Sequence, residues 1–327
     1  MAYLMLILAL VIIAPLSLLK RKLVRGIHRQ EQEDAAFLPP ELDSSGSVPT
    51  LSILPLVDFH AADETLATEA GVSYLVTAGD TRILLDVGAN EKCEDPSPLL
   101  ANAKKLGVDL GSLDALVLSH LHRDHVGGIP EEKEKRFSFS PGASPCSDLP
   151  VYTPETLTGA LPTGCHAVTV TAPRELAPGV WSLGPMGRSL FIMGYTVEQA
   201  LAIHVEGKGM ALIIGCGHPT IERLLERCQA LFPHPIFAVI GGLHYPIHGG
   251  RMMLGPLNLQ KLVGSDRMPW NGLTEEDVQR GMDAIQQAGV TAVGLSPHDS
   301  CDWSLNRFRE VFGDAYQPIE VGRTLAL

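Results

Sequence analysis

Residues 116–128, Leu-Val-Leu-Ser-His-Leu-His-Arg-Asp-His-Val-Gly-Gly, limit what this chain can become more than any other stretch. An apolar run of strand character, 115–119, leads straight into three histidines and an aspartate within six residues. His120 and His122 stand two apart, so on an extended strand end they share a side and can hold one ion. Asp124 and His125 follow as the chain turns, offering a carboxylate and an imidazole to a second ion nearby. Imidazole and carboxylate together suit zinc, iron or manganese. Gly127 and Gly128 let the backbone turn tightly beside the site. A single histidine at a strand end is an ordinary surface or core residue. Four ligands in HxHxDH order point to metal binding.

Three further histidines sit just past expected strands: His218 in Gly-Cys-Gly-His-Pro, His244 in Gly-Gly-Leu-His and His298 in Ser-Pro-His-Asp. Strand carboxyl ends converge on the site in α/β architectures. Together with HxHxDH these residues have the number and placement to complete two metal spheres. His28, His60, His166, His204, His234 and His248 lack the combination of strand end and glycine turn and read as ordinary histidines.

The surrounding pattern predicts strands at 51–59, 72–77, 82–87 and 115–119, with a helix near 98–106. Residues 129–190 are rich in Pro, Gly and Ser, with short strand-like pieces at 151–153, 167–171 and 180–183. Strands at 200–205, 210–214, 236–240 and 291–295 then alternate with helices at 221–231, 274–288 and 302–312. The helix at 221–231 shows apolar residues at 221, 224, 225, 228 and 231, and Thr274 with Asp277 opens the next. β-rich hairpins followed by βα units predict a mixed α/β domain with helices covering sheets. Residues 245–272 form a long insert, of a kind that often serves as a lid or packs its apolar residues on a membrane surface. Its cations Arg251, Lys261 and Arg267 are candidate contacts for an anionic substrate. The charge run 131–136 reads as a solvated face.

The amino terminus differs from the rest. Residues 2–19 carry no charge, and 18 residues at ~1.5 Å each approach the ~30 Å of a hydrocarbon core. Lys20, Arg21, Lys22 and Arg25 follow. The run lacks a basic leader and a small-x-small cleavage site, so it reads as a single membrane helix with its basic flank, and the domain behind it as cytoplasmic. The expected layout is an anchor over 1–25, a linker over 26–50 and one folded domain over 51–327. The formal charge of −12 is then an average: residues 1–30 hold +5 and the remainder −17. That acidity disfavours a nucleic-acid partner and favours a small-molecule substrate. Six cysteines without a CxxC pair exclude a disulfide scaffold and a structural zinc finger.

HxHxDH after a strand resembles the mark of the metallo-β-lactamase-fold superfamily. Residues 69–76 and 83–88, Asn102-Ala103, 106–109, 198–201, 215–219 and 241–244 look like its dihydropterin-methyl-ribofuranosylaminobenzene 5′-phosphate synthase branch. The resemblance covers about residues 51–325, with a gap over the variable middle. It implies an αββα sandwich with a dinuclear site holding two divalent ions, zinc first, with iron or manganese as alternatives. By resemblance, His120, His122 and His218 would hold one metal, and Asp124, His125 and His298 the other. Cys216 stands where most members carry a bridging aspartate and is a further candidate ligand. His244 would be an active-site residue outside the ligand set, working with Asp124 on protons. Asp86 is the first candidate carboxylate behind the imidazoles, ahead of Asp58 and Asp299. The branch commonly has His-Cys-Thr/Ser-Gly at the last motif, where this chain has His298-Asp299-Ser300-Cys301. The implied activity is a metal-dependent hydrolase, or a pterin-type synthase or lyase, on a small anionic or ester substrate. The alternatives are a phosphodiesterase or ribonuclease of the same superfamily, and a membrane-tethered metal or redox sensor without turnover.

Overall fold

The computed structural model describes residues 14–44, 46–142, 144–255 and 257–327. Helix α1 (Ala14–Ala36) precedes a hairpin-rich first half with β1 (Leu51–Val57), β2 (Ser73–Ala78), β3 (Thr81–Leu85), α2 (Pro98–Lys105), β4 (Ala115–Val117), α3 (Arg123–Val126), α4 (Ile129–Glu134), β5 (Leu149–Thr153) and β6 (Cys165–Thr169). The second half runs through β7 (Arg174–Ala177), β8 (Val180–Ser182), β9 (Met186–Leu190), β10 (Gly194–Glu198), β11 (Leu201–Val205), β12 (Gly209–Ile214), α5 (Ile221–Leu231) and β13 (Ile236–Gly241). It closes with β14 (Met253–Leu254), β15 (Leu257–Asn258), α6 (Leu259–Val263), α7 (Glu275–Gln287), β16 (Ala292–Leu295), α8 (Asp302–Phe312) and β17 (Leu325–Ala326).

Two sheets stack face to face. One has the order β17-β1-β2-β3-β4-β5-β6 and the other β16-β13-β12-β11-β8-β7. Their facing sides share a core that includes Ile53, Val76, Ile83, Ile203, Ile213 and Ile240, all fully buried. Strand β12 is buried along its whole length, and its parallel pairing with β13 explains why it reads as an unbroken apolar run. Helix α2 lies on the outer side of the first sheet, with Leu99 and Ala103 packed among Leu56, Leu84 and Leu116. Helices α5, α7 and α8 cover the second through Leu224, Met282 and Phe308. Each buried side chain of this size contributes about 1.5–3 kcal/mol. The result is a four-layer α/β sandwich, as the alternation of strands and helices predicts.

The amino terminus departs from expectation. Among the described residues no helix is long and apolar enough to cross a membrane. The membrane anchor is therefore withdrawn, and with it the cytoplasmic placement that rested on the basic flank; residues 2–13 of the expected span lie outside the described residues. Lys20, Arg21, Lys22 and Arg25 fall inside α1, which runs on through Glu31, Glu33 and Asp34 where a linker was expected. The helix lies along the β9–β10 hairpin. Leu23 and Gly26 are its buried residues, Arg29 stacks 4.1 Å over the Tyr195 ring, and Asp34 pairs with Arg223 at 2.6 Å. A Cβ at Gly26 would overlap the Ser189 side chain. Gly26→Leu should pry α1 off the hairpin, so hydrogen exchange over residues 14–36 should approach that of an open chain. Unchanged protection would show that this contact does not hold the helix.

Candidate metal centre

The chain brings the ends of β4, β12, β13 and β16 to one edge of the sandwich. Past β4, His120 and His122 occupy extended backbone, and the single turn of α3 swings Asp124 and His125 back over them. Gly127 ends that turn at φ 97°, where a Cβ would also overlap the Ser138 carbonyl, so a side chain is excluded twice over. Past β12 come Cys216 and His218, past β13 His244, and past β16 His298. His120, His125 and His298 are fully buried, while Cys216, His218 and His244 are nearly so.

These side chains converge in overlapping groups. His120, His122 and His218 form one, Asp124, His125, Cys216 and His298 a second, and Cys216, His218 and His244 a third, with candidate ligand atoms within 4.8 Å of one another in each. His122 Nδ1 lies 3.2 Å from His218 Nε2. Cys216 Sγ sits 3.1 Å from His125 Nε2 and 3.2 Å from His298 Nε2, and Asp124 Oδ2 is 3.6 Å from His125 Nε2. Ligands on a tetrahedral zinc at about 2.0–2.1 Å stand roughly 3.3 Å apart, so the spacing fits a shared cation. His120 Nε2 is buried without a hydrogen-bond partner among the described residues. Such an orphan costs about 1–3 kcal/mol unless something takes it, and a cation would.

Burial sets the protonation. Desolvation, then the neighbouring imidazoles, holds His120 well below the ordinary range. Burial does the same for His218 and His298, leaving neutral rings able to ligate. His122 is brought down to about 4, again by burial first. His125 is the exception: burial would lower it, but Cys216, Asp86 and Asp124 together raise it. Burial works against ionised Asp124 too, yet His125, His298 and His122 outweigh it and depress that carboxyl.

Behind the rings stand two buried carboxylate–hydroxyl pairs. Asp86 meets His125 Nδ1 at 2.7 Å and accepts from Ser119 Oγ at 2.7 Å, and that hydroxyl lies 3.0 Å from His120 Nδ1. Asp58 accepts from Ser296 Oγ at 2.7 Å, and Ser296 Oγ lies 2.6 Å from His298 Nδ1. Each pair fixes which nitrogen of its imidazole faces the cluster. Asp299 instead accepts the backbone N–H of His244 at 2.8 Å and so holds that residue at φ 54°.

Glu198 was quoted in the sequence only as part of a motif, with no role attached. Its carboxylate, 1% exposed, accepts the N–H groups of Cys216, Gly217 and His218 at 3.0, 2.9 and 2.8 Å. Burial pushes it up to about 7 against those donors. Its neighbour Gln199 donates to the Leu118 and Tyr152 carbonyls, and its own N–H to the Ser119 carbonyl. No spacing rule flags a carboxylate that works on backbone, and for that reason the pair escapes sequence reasoning.

The described residues of the insert include the β14–β15 hairpin and α6. Met252, Gln260 and Gly264 line one side of a cavity of about 280 Å³ above the cluster. Arg251, Lys261 and Arg267 do not line that cavity. Arg251 donates to Asp302 at 2.8 Å and stacks 4.2 Å over Phe59, Lys261 reaches the Ile247 carbonyl, and Arg267 forms a bidentate pair with Asp277 at 2.7 Å. Acids beyond the insert engage the two arginines, and a backbone carbonyl within it engages the lysine.

Glu198→Ala would strand three buried N–H groups. It is expected to cost about 3 kcal/mol or more in chemical denaturation, against less for Glu198→Gln. Equal, small losses in both variants would show that the carboxylate carries no such load.

Residues 67–137 match the sequence pattern of the family described as Metallo-beta-lactamase superfamily. The chain is 27% identical over 238 residues to the 7,8-dihydropterin-6-methyl-4-(β-D-ribofuranosyl)-aminobenzene-5′-phosphate synthase of Methanocaldococcus jannaschii, covering 61% of this chain and 79% of that protein. A ribonuclease of Thermus thermophilus is 37% identical over 76 residues, which span 23% of this chain and 16% of the enzyme. Among solved structures, a metal-dependent hydrolase of the beta-lactamase superfamily superposes with a TM-score of 0.57 at 18% identity, over 85% of this chain and 99% of that one. Strand order, the convergent histidines and these likenesses agree: residues 67–137 match the Metallo-beta-lactamase superfamily pattern, and the chain has the sandwich fold seen in that solved metal-dependent hydrolase.

Proposed function

We propose that this protein is a metal-dependent hydrolase that uses two divalent cations on a small substrate bearing an ester-type bond. The observation that carries the reading is the convergence of buried, neutral imidazoles at ligand-to-ligand spacing around an orphaned His120 Nε2. His120, His122 and His218 would hold one cation, and Asp124, His125 and His298 the other, with the Cys216 thiol between His125 and His298 as a further ligand. Zinc suits a set of imidazole, carboxylate and thiolate best. When bound, the cations supply Lewis acidity that makes water nucleophilic near neutral pH and steadies charge on the attacked centre.

The remaining groups place protons. Asp124 is ionised and reaches the cavity, where it can hold and then accept the proton of an attacking water. His244 is brought down to about 4, chiefly by burial, and so is neutral. Its Nε2 lies 3.3 Å from the Gln260 carbonyl, which takes that N–H and leaves Nδ1, buried without a partner among the described residues, as a lone pair that can accept a proton during turnover and return it to the leaving group. Gly264 permits this, since a Cβ there would overlap His244 Nε2. The ribonuclease alternative draws less support, because Glu91 and Glu132 stand at the cavity where a polyanion would pass.

Elemental analysis of the full chain should find about two zinc, iron or manganese ions per molecule. The His120→Ala, His122→Ala double variant should lose about one of them and all turnover on a panel of phosphoester, thioester, lactone and pterin substrates. Fewer than about one ion per chain, unchanged by that double variant, overturns the dinuclear reading. Gly264→Ala should cut turnover about tenfold or more with metal content intact, because it displaces His244. Equal loss of metal would move His244 into the ligand set.

A further inference from the structure

The cavity above the cluster has a character the cluster does not explain. Its floor is His122, Asp124, Cys216, His218 and His244, and its walls include Ala70, Ile129, Met193 and Met252. Among the described residues that line it, Arg123 is the single lysine or arginine, and its Nη2 is turned to Met252 Sδ at 3.1 Å. Glu91 and Glu132 line the same space. The insert's three cations are engaged elsewhere, as described above. An anionic group held away from the floor would therefore meet one arginine, turned to a thioether, among two carboxylates and two methionines. The apolar character continues outward: Ile129 and Met193, both in the lining, are 47% and 38% exposed. Exposed apolar side chains gathered at a cavity mouth mark a surface that takes an apolar partner.

Resting on the hydrolase reading above, we propose that the substrate carries an uncharged, flexible apolar arm, the acyl chain of an ester, and that Met193 and Met252 are the specificity-determining walls. Methionine is unbranched and polarisable, and it moulds itself to a chain that has no fixed shape. A volume of about 280 Å³ is roughly nine water volumes, room for an arm of medium length with its carbonyl on the floor. In the reaction, water oxygen bonds to the acyl carbon, the carbon–oxygen bond to the alcohol breaks, one proton of the water reaches the departing alkoxide and the other is released to solvent. The products are a carboxylate with its chain still against the methionines and a neutral alcohol.

Calorimetric titration of the full chain, with and without added zinc, tests the arm independently of catalysis. Octanoate and acetate share a carboxylate and differ only in chain. Octanoate should bind at least about tenfold tighter, because each buried methylene favours binding several-fold. That ratio should fall at least about threefold in Met193→Ser and in Met252→Ser, both at the cavity wall where folding is not at stake. Inorganic phosphate should compete no better than acetate. A ratio near one, a ratio unmoved by both substitutions, or phosphate binding tighter than octanoate overturns the proposal. A p-nitrophenyl ester series then separates the two readings: kcat/KM should climb from acetate to octanoate. Tight octanoate binding with no turnover of any ester or phosphoester removes the hydrolase reading and leaves the arm. Turnover without chain-length dependence removes the arm and leaves the hydrolase.

Discussion

Everything at the functional edge depends on one electrostatic constraint: a set of imidazoles, a carboxylate and a thiol gathered with little access to bulk water. Desolvation and mutual repulsion keep His120, His218 and His298 neutral, while the acids and thiol around His125 raise that one ring. Neutral rings packed this closely have nothing to hold them apart or together, so their positions must come from behind. Asp86 with Ser119, and Asp58 with Ser296, provide that support in parallel fashion, the first pair within the first half of the chain and the second joining the two halves. The sandwich can be understood as the frame that brings four strand ends and these two pairs to one place.

Much of this was legible in the sequence. The β-rich runs of the first half, the period of 3.6 at residues 221–231 and the alternation of strands with helices foretold a mixed α/β sandwich, because burial imposes such patterns directly. HxHxDH and the glycine-flanked histidines announced the cluster, since ligand chemistry admits few residue types. Asp86 was legible as a support. Ser119 and Ser296 were not, because a serine carries no signal until its partners are known.

The membrane reading fails because the basic residues 20–25 continue into a helix laid along the β9–β10 hairpin. The insert's cations lie outside the cavity lining, each engaged with a group that the sequence does not mark as its partner. Arg29 lies on Tyr195, Arg251 on Asp302 and Phe59, and Arg267 on Asp277. Charge read along a chain gives composition. Which charges are free to meet a ligand is decided by contacts that only the fold creates.

The Glu198–Gln199 pair has a consequence for how the molecule comes together. Gln199 ties the end of β10 to carbonyls beside β4 and β5, at sequence separations of 81 and 47, while Glu198 gathers the loop after β12. The loop that carries Cys216 and His218 therefore takes its shape from a dipeptide held by distant carbonyls, and contacts that span so much chain carry a loop-closure cost. The other side of the ligand edge, His120 to His125, comes from one short segment.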